Sequence, residues 1–226
     1  MLFKAMNLVM LWILLIGNGF LRNRTEYIVG DTHANNHDRG IYIAQAKISG
    51  EHFMYLPAVF SNILPLLVAD FNNCKPENNL GGGMGTAYIP PDDLLETYFK
   101  DDGHGCVVKL DYHITYWSSF WLKLQLIDLT PYKKLVFDIR SDPQDIPAEI
   151  KIELKRSGNM EVSIIYVSGI STAWQTITIY LSDFGPTGYM PPISSLSDME
   201  ELVFTFEADH SGKSGIVYLD NIAFEP

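Results

Sequence analysis

The chain has 226 residues and a formal net charge of −11 at pH 7, with 16 Lys and Arg against 27 Asp and Glu. No basic run occurs after residue 25, which argues against a nucleic-acid partner because binding a phosphate backbone needs clustered Lys and Arg. The hydrophobic content of 47% is enough for the core of one domain, and the aromatic content of 12% favours strands and flat surfaces for ring stacking.

Residues 1–21 have the composition of an export signal. Lys4 precedes an apolar run at residues 5–17, and polar residues return from Arg22 onward. The run is shorter than the ~20 residues of a comfortable membrane span, so we interpret it as a signal peptide. Since no small-x-small cleavage site follows, an uncleaved N-terminal membrane anchor stays open. Both alternatives predict an exported protein, located extracellularly, in the periplasm or at the cell surface.

Residues 22–64 are predicted to be a linker that leads into a folded domain at residues 65–226. The first part of this segment is polar, and the apolar stretch that follows contains Pro57 and Pro65. Two prolines argue against a membrane-spanning helix. The first strand of the domain is expected at residues 66–71.

Later segments alternate between apolar and polar side chains, as half-buried strands do. In residues 107–114, Val108 and Tyr112 face the same side, and in residues 121–126 so do Leu122, Leu124 and Leu126. Further strands are expected at residues 135–140, 150–154, 162–167, 174–181, 202–208 and 216–224.

Two short segments are predicted to be helical, at residues 91–97 and 195–201. The first begins with Pro91, Asp92 and Asp93, a composition typical of a helix start. Because the strands otherwise follow one another without intervening helices, the pattern predicts an all-β sandwich of antiparallel sheets. A single closed barrel is the alternative.

The side chains that alternate outward are unusually polar for strand centres. They are Asp111, His113, Trp121, Asp138, Arg140, Lys151 and Glu153. Tyr116 and Trp117 precede Trp121 and add further aromatic rings. Sugar binding needs flat aromatic faces for the C–H side of a pyranose, and charged or amide groups for its hydroxyls. We therefore predict that these side chains bind a sugar, although core packing is the competing explanation for each aromatic residue.

Cys74 and Cys106 are the two cysteines of the chain. A single disulfide in an oxidising compartment and a pair of unpaired thiols are both compatible with the sequence. The pattern does not decide between them.

Several segments, taken in order, resemble the galactose-binding-like jelly rolls, in particular the carbohydrate-binding modules of family eleven. They are residues 70–73, 78–83, 132–140, 174–184 and 217–222. The resemblance covers roughly residues 65–226. It implies a jelly-roll β-sandwich of two antiparallel sheets that binds β-glucan-type chains on its concave face, with Lys151 in contact with the glucan.

The same resemblance implies a structural calcium ion far from the ligand. Asp70, Asn72 and Asp220 are the predicted ligands, because the first and last strands of a jelly roll are neighbours. Calcium takes about 6–8 oxygen ligands, which loops and backbone carbonyls would complete. The chain departs from the family pattern at Asn72, where relatives usually carry Glu.

The predicted function is noncatalytic binding of a polysaccharide. Two further partners stay open. One is a membrane to which the N-terminus would anchor the protein, and the other is a glycan-active enzyme that would act beside the module. A protein-interaction module of the same fold is the alternative, because the complex-I intermediate-associated proteins look similar at the glycine-rich turn 81–85. Enzymatic activity is disfavoured, because Arg140 and Lys151 would keep neighbouring carboxyl groups ionised, the wrong state for a general acid.

Overall fold

The computed structural model describes the backbone of residues 28–30, 41–48 and 52–59, and the whole of residues 63–156, 158 and 160–226. The chain divides into two compact units, Met1–Asn62 and Ile63–Pro226. The predicted signal peptide or anchor at residues 1–21 lies outside the described residues. In the described part of the chain, no helix has the length and hydropathy that a membrane span requires.

The described residues of the first unit form a small antiparallel sheet. Its strands are β1 (Ile28–Gly30), β2 (Ile41–Ile48) and β3 (His52–Val59), in the order β1-β2-β3. These strands occupy part of the segment that the sequence predicts to be a linker.

The second unit is a β-sandwich. Its strands are β4 (Leu66–Ala69), β5 (Met84–Tyr88), β6 (Asp93–Asp101), β7 (Gly105–His113), β8 (Trp117–Ile127), β9 (Lys134–Ser141), β10 (Glu149–Arg156), β11 (Glu161–Ser168), β12 (Gln175–Tyr180), β13 (Gly185–Pro186), β14 (Met199–Glu207) and β15 (Ser214–Glu225). The helices described are a 3-10 helix at Leu181–Asp183 and α1 (Ala208–Ser211).

The strands of this unit form two sheets with antiparallel pairing, here named sheet I and sheet II. Sheet I has the order β13-β11-β10-β14-β8-β5. Sheet II has the order β12-β9-β15-β7-β6, and β4 also pairs with β15. The predicted two-sheet sandwich is confirmed, and the first and last strands of the domain are neighbours as expected.

The core lies between the inner faces of the two sheets. Phe204 of sheet I meets Phe137 of sheet II edge to face at 5.3 Å, and Phe206 stacks on Tyr112 at 4.4 Å. All four side chains are buried. The alternation in residues 107–114 therefore identified the core face of β7 correctly.

The prediction for Leu126 is wrong. Leu122 and Leu124 are fully buried, whereas Leu126 is exposed. Gln125 and Leu126 both have positive φ values, 57° and 58°, which interrupts the extended backbone. The alternation therefore stops two residues before the end of the predicted run.

The predicted helices at residues 91–97 and 195–201 are also wrong. Asp93 begins β6, which pairs along its whole length with β7. Residues 195–198 are irregular, and Met199 begins β14. In β6 the buried Leu94 is followed by the exposed Leu95, so a period of two outweighs the helix-start composition.

Cys74 and Cys106 form a disulfide with a Cα–Cα distance of 5.6 Å. It joins the loop after β4 to the start of β7 and spans 32 positions of sequence. By the chain-entropy model, closing a loop of this size stabilises the fold by about 3 to 4 kcal/mol. The structure thus decides between the two alternatives that the sequence left open.

Candidate functional site

A cavity of about 510 Å³ lies on the outer face of sheet I and is named the trough. Small side chains form its floor, because Ala87, Ser119, Thr205 and Val203 occupy outward positions on neighbouring strands. Longer side chains surround this floor; they are Trp117, Trp121, Lys151, Glu153, Lys155, Tyr189, Glu201 and Glu207. The trough follows β14 from Glu201 to Glu207, which is six residue steps or about 20 Å.

Charged side chains of alternating sign line one side of the trough. The Nζ of Lys151 lies 2.5 Å from Glu207 and 3.0 Å from Glu153. The Nζ of Lys155 lies 3.6 Å from Glu153 and 3.5 Å from Glu201. The contacts with Glu207 and Glu201 cross from β10 to β14, whereas those with Glu153 lie within β10, so the pairing of the two strands and the alternation along β10 together set the spacing of the charges.

The row of charges continues onto β8. The Nζ of Lys123 lies 2.6 Å from Glu201 and 3.3 Å from Glu200. We name the whole set the charge ladder; it consists of Lys123, Lys151, Lys155, Glu153, Glu200, Glu201 and Glu207. Because each lysine contacts two glutamates, the side chains are held in place before any ligand arrives.

The ladder favours the ionised forms of Lys151 and Glu207. Burial alone would lower the pKa of Lys151, but the carboxylates of Glu207 and Glu153 outweigh it and raise that pKa. Burial would raise the pKa of Glu207, but the Lys151 ammonium and the Tyr166 hydroxyl outweigh it and lower that pKa. The trough therefore presents fixed cationic donors beside anionic acceptors.

The lowered pKa of Glu207 predicts a loss of stability in acid. Because the folded protein holds the pKa of Glu207 below its ordinary 4.5, the ionised carboxylate contributes stability above about pH 4.5 that is lost as the pH falls through the folded-state value. Calorimetry between about pH 6 and pH 3 should show a smaller fall in Tm for Glu207→Gln than for the unchanged protein. An equal fall in Tm with pH in the two proteins would contradict the role given to Glu207.

The Trp121 ring forms an aromatic wall of the trough. Glycine residues on and beside the neighbouring strand β5 leave room for this ring. A Cβ atom on Gly85 would lie 2.9 Å from the Trp121 ring, whereas one on Gly83 would lie 3.8 Å away. The indole N–H points to the carbonyl oxygen of Thr86 at 3.4 Å. The ring therefore lies across β5, at the border of the small-residue floor.

Gly85→Ala is expected to displace this ring. The added Cβ would be closer to the ring than normal packing permits, so ligand affinity should fall by about 1 kcal/mol, roughly fivefold. Titration calorimetry and tryptophan emission would measure the effect. Gly83→Ala is the matched control, because its Cβ would make an ordinary contact with the same ring. An equal loss of affinity in both variants would contradict the explanation.

Two tyrosines, Tyr166 and Tyr189, lie near the charged side chains of the trough. The Tyr166 hydroxyl donates to Glu207 at 2.8 Å, and its ring stacks on His210 at 4.4 Å. Tyr189 is exposed on the loop between β13 and β14, where the Thr187 hydroxyl oxygen accepts its backbone N–H. Aromatic rings thus stand on both sides of the trough.

The predicted sugar-binding residues do not lie on a single surface. Trp117, Trp121, Lys151 and Glu153 line the trough, and Tyr116 is exposed just before Trp117. The remaining four lie on sheet II, in β7 and β9; they are Asp111, His113, Asp138 and Arg140. Alternation identifies outward positions but not the sheet to which a strand belongs, so the expectation of one shared face is wrong.

The sheet II residues form a polar cluster of their own. The Arg140 guanidinium lies 3.7 Å from the centre of the Tyr218 ring, and it donates to Asp101 at 3.3 Å. Asp138 accepts hydrogen bonds from Thr176 at 2.6 Å and from the Asn221 side chain at 2.9 Å. These contacts join β9 to its neighbours β12 and β15, and the Asp101 contact reaches the end of β6 at the edge of sheet II.

Asp111 and His113 lie on β7, on the same outer face of sheet II. Asp111 contacts Lys109 at 3.0 Å and the ring of His113 at 3.9 Å. The His113 side chain is largely exposed. These groups are therefore separated from the trough by the thickness of the sandwich.

The predicted calcium ligands make hydrogen bonds within the protein. The buried carboxylate of Asp220 lies 3.0 Å from the His104 ring nitrogen and accepts the N–H of Asn221. The side-chain oxygens of Asn72 and Asp70 accept backbone N–H groups. Among the described residues, no group of three or more His, Cys, Asp and Glu side chains is placed to hold a metal. Calcium stays a prediction from the resemblance.

Several trough residues were missed by the sequence analysis, because the sequence gives little sign of them. Glu201 and Glu207 stand at the ends of a strand whose centre, residues 202–206, is almost wholly buried. Tyr189 lies in a loop and belongs to no alternating pattern. The sequence contained one clue. Glu201 and Glu207 lie an even number of positions from Thr205, so a continuous strand would place all three on the same face.

No protein-family model matches the chain, and no curated protein matches it. A family 11 carbohydrate-binding module of a cellulosomal cellulase of Clostridium thermocellum is similar over 73% of this chain and 96% of its own, with 20% identity and a TM-score of 0.57.

Two further solved structures are similar. A Clostridium thermocellum family 11 module in complex with a β-1,3-1,4-mixed-linked tetrasaccharide matches 71% of this chain and 95% of its own, with 22% identity and a TM-score of 0.54. An exo-β-agarase matches 71% of this chain and 24% of its own, with 15% identity and a TM-score of 0.52. The second unit of this protein therefore has the jelly-roll β-sandwich fold that carbohydrate-binding modules share.

Proposed function

We propose that the trough binds a polysaccharide chain of the β-glucan type without cleaving it. The observation that carries this proposal is the charge ladder, fixed by its own ion pairs and flanked by the rings of Trp121 and Trp117. Sugar hydroxyls donate and accept hydrogen bonds, and the ladder offers ammonium donors beside carboxylate acceptors along the cavity. The indole rings supply the apolar faces that pyranose C–H groups require.

The charges in the trough argue against hydrolysis. A glycosidase needs a carboxylic acid that is protonated at the working pH, which requires a raised pKa. Glu207 and Glu153 both contact the Lys151 ammonium, and the pKa of Glu207 is lowered. Glu207 is thus not suited to act as a general acid.

The length of the trough supports an extended chain as the ligand. The trough follows β14 from Glu201 to Glu207, about 20 Å, and lies on a sheet face. The family 11 module solved with a β-1,3-1,4-mixed-linked tetrasaccharide has the same fold. We infer the same class of ligand for this protein, with the trough as its site.

We also infer that the protein is exported. The Cys74–Cys106 disulfide supports an oxidising compartment, because cytosolic thiols are kept reduced. Fractionation of the producing cells would test this inference. Recovery of the protein in the cytosol with both thiols free would contradict it.

Affinity electrophoresis would test the proposed function. The full chain should be retarded in gels that contain mixed-linkage β-glucan, and should release no reducing sugar from it. Xylan and mannan gels would show how narrow the preference is. Absence of retardation in every gel would overturn polysaccharide binding, and release of reducing sugar would overturn the noncatalytic role.

A further inference from the structure

Strand β6 is the longest strand that stands at an end of either sheet. Sheet I ends at β13 and β5, with two and five residues, and sheet II ends at β12 and β6, with six and nine. All nine residues of β6 pair with β7 without a register shift, and no second strand pairs with β6 in the described part of the chain. Its other side is therefore a row of backbone N–H and C=O groups with which another strand could pair.

The outer face of β6 would favour such pairing. Leu95 is 60% exposed on this face, and Phe99 follows in the same alternation. Two copies of the strand, paired antiparallel along their whole length, would place Thr97 on the two-fold axis and Leu95 opposite Phe99 of the second copy. Such apolar cross-strand pairs stabilise a sheet. Only the strand ends would repel, where Asp93 faces Asp101, and an exposed charge interacts weakly. A second copy of this chain thus fits the edge of β6.

The inner face of β6 has a carboxylate that opposes pairing. Glu96 alternates with the buried Leu94 and lies opposite the buried Leu110 of β7, so its side chain points between the sheets. Its Oε2 atom is buried and has no hydrogen-bond partner among the described residues. The hydroxyl of Tyr98, two positions further on the same face, is likewise buried without a described partner. The inner side of this edge therefore contains polar groups that the fold does not satisfy.

Glu96 keeps part of its contact with water through the free edge of the strand. The residue as a whole is half-buried, while β7 covers one side of its strand and the core lies beneath it. Burial raises the pKa of Glu96, as expected for a carboxyl group that has lost water without gaining a donor. A strand added to β6 would close the remaining opening. Burying an ionised carboxylate without a partner costs more than an apolar cross-strand pair contributes.

We propose that the edge of β6 is a surface that fits a second copy of this chain, and that the inward carboxylate of Glu96 keeps the two copies apart. Each copy in a pair would have to bury its own Glu96, so the cost arises twice. The protein should accordingly be monomeric near pH 7, and removal of this one charge should make it dimeric. The trough lies on sheet I and takes no part in this pairing, so the inference is independent of the proposed function.

Sedimentation velocity over a range of protein concentrations tests the proposal. Glu96→Leu should lower the dimer Kd at least roughly 30-fold relative to the unchanged protein, because each copy is relieved of one unsatisfied carboxylate. Glu96→Gln should lower it less, since an amide is also polar. Asp102→Asn is the matched control, because it removes one negative charge from the exposed turn directly after β6 and should leave the protein monomeric.

A second pair of variants identifies the strand that pairs. Adding Thr97→Lys to Glu96→Leu should restore the monomer, because two like charges would face each other on the two-fold axis. Adding Thr178→Lys instead makes the same change at an exposed position of β12, the other end of sheet II, and should leave the dimer intact. A dimer that persists with Thr97→Lys, or that dissociates equally with both lysines, would overturn the proposal.

Two other results would also overturn it. One is a Glu96→Leu variant that stays monomeric at every concentration. The other is an unchanged protein that already dimerises and that Thr97→Lys makes monomeric, because Glu96 would then not keep the copies apart. If Glu96→Leu does not fold, Glu96→Gln with and without Thr97→Lys decides in its place.

Discussion

Lys151→Met is expected to lower the free energy of unfolding by about 3 kcal/mol, within the 3–5 kcal/mol range for breaking a buried ion pair. The Lys151 side chain is only 7% exposed and contacts two carboxylates. Methionine would fill a similar volume but leave Glu207 without its lysine, while Glu153 would keep only the longer contact with Lys155 at 3.6 Å. The lower end of the range applies because Glu207 keeps 26% of its side chain exposed. For a domain of this size, Tm should fall by about 10 °C.

Lys109→Met on sheet II is the matched control. Lys109 contacts Asp111 at 3.0 Å, but both side chains are about one quarter exposed. An exposed pair of this kind contributes less than about 1 kcal/mol. Differential scanning calorimetry of the two variants would compare them directly, and equal losses would show that the charge ladder is not specially buried.

A compensated variant separates charge from packing. Combining Lys151→Met with Glu153→Gln and Glu207→Gln removes the unpaired carboxylates while it keeps similar side-chain volumes. This triple variant should recover much of the lost stability but should not recover polysaccharide binding. Recovery of binding would show that the ligand does not use these charges.

The fold could be predicted from the sequence because burial on one face imposes a period of two. Val108, Leu110 and Tyr112 are all fully buried, and a one-residue shift would have moved them to solvent. The period fails where the backbone leaves the extended region, as at Leu126 with its φ of 58°. Positive φ values at residues other than glycine have no reliable signature in a single sequence.

The mistaken helix at residues 91–97 follows from chemistry that was identified correctly but assigned to the wrong partner. Asp92 does accept backbone N–H groups, as an acidic residue at a helix start would. Those N–H groups belong to Thr115, Tyr116 and Trp117, more than 20 positions away. Sequence composition gives the capacity of a carboxylate to accept hydrogen bonds, whereas the fold decides which donors it meets.

The candidate site could be predicted only in part, for a topological reason. Lys151 and Arg140 both alternate outward, but β10 belongs to sheet I and β9 to sheet II. Strand order is set by long-range pairing, such as that of β10 with β14, which residue spacing does not encode. For the same reason Glu207, the nearest partner of Lys151, could not be predicted.

Trp121→Ala is expected to weaken binding to mixed-linkage β-glucan by about 2 kcal/mol, or roughly 30-fold. The indole borders the small-residue floor of the trough and contacts no core residue of the opposite sheet, since it lies on the outer face of sheet I. Its removal would take away an apolar face for a sugar ring and leave the charge ladder in place. Tm should therefore change much less than affinity, which titration calorimetry and thermal unfolding would measure together.

His113→Ala distinguishes the two outer faces of the sandwich. His113 belongs to the set predicted from the sequence, but it lies exposed on sheet II beside Asp111. If the trough is the site, His113→Ala should bind as the unchanged protein does, while Trp121→Phe should retain part of the affinity because a smaller ring remains. A loss of binding in His113→Ala with normal binding in Trp121→Ala would place the site on sheet II, and the charge ladder would then be a stabilising feature alone.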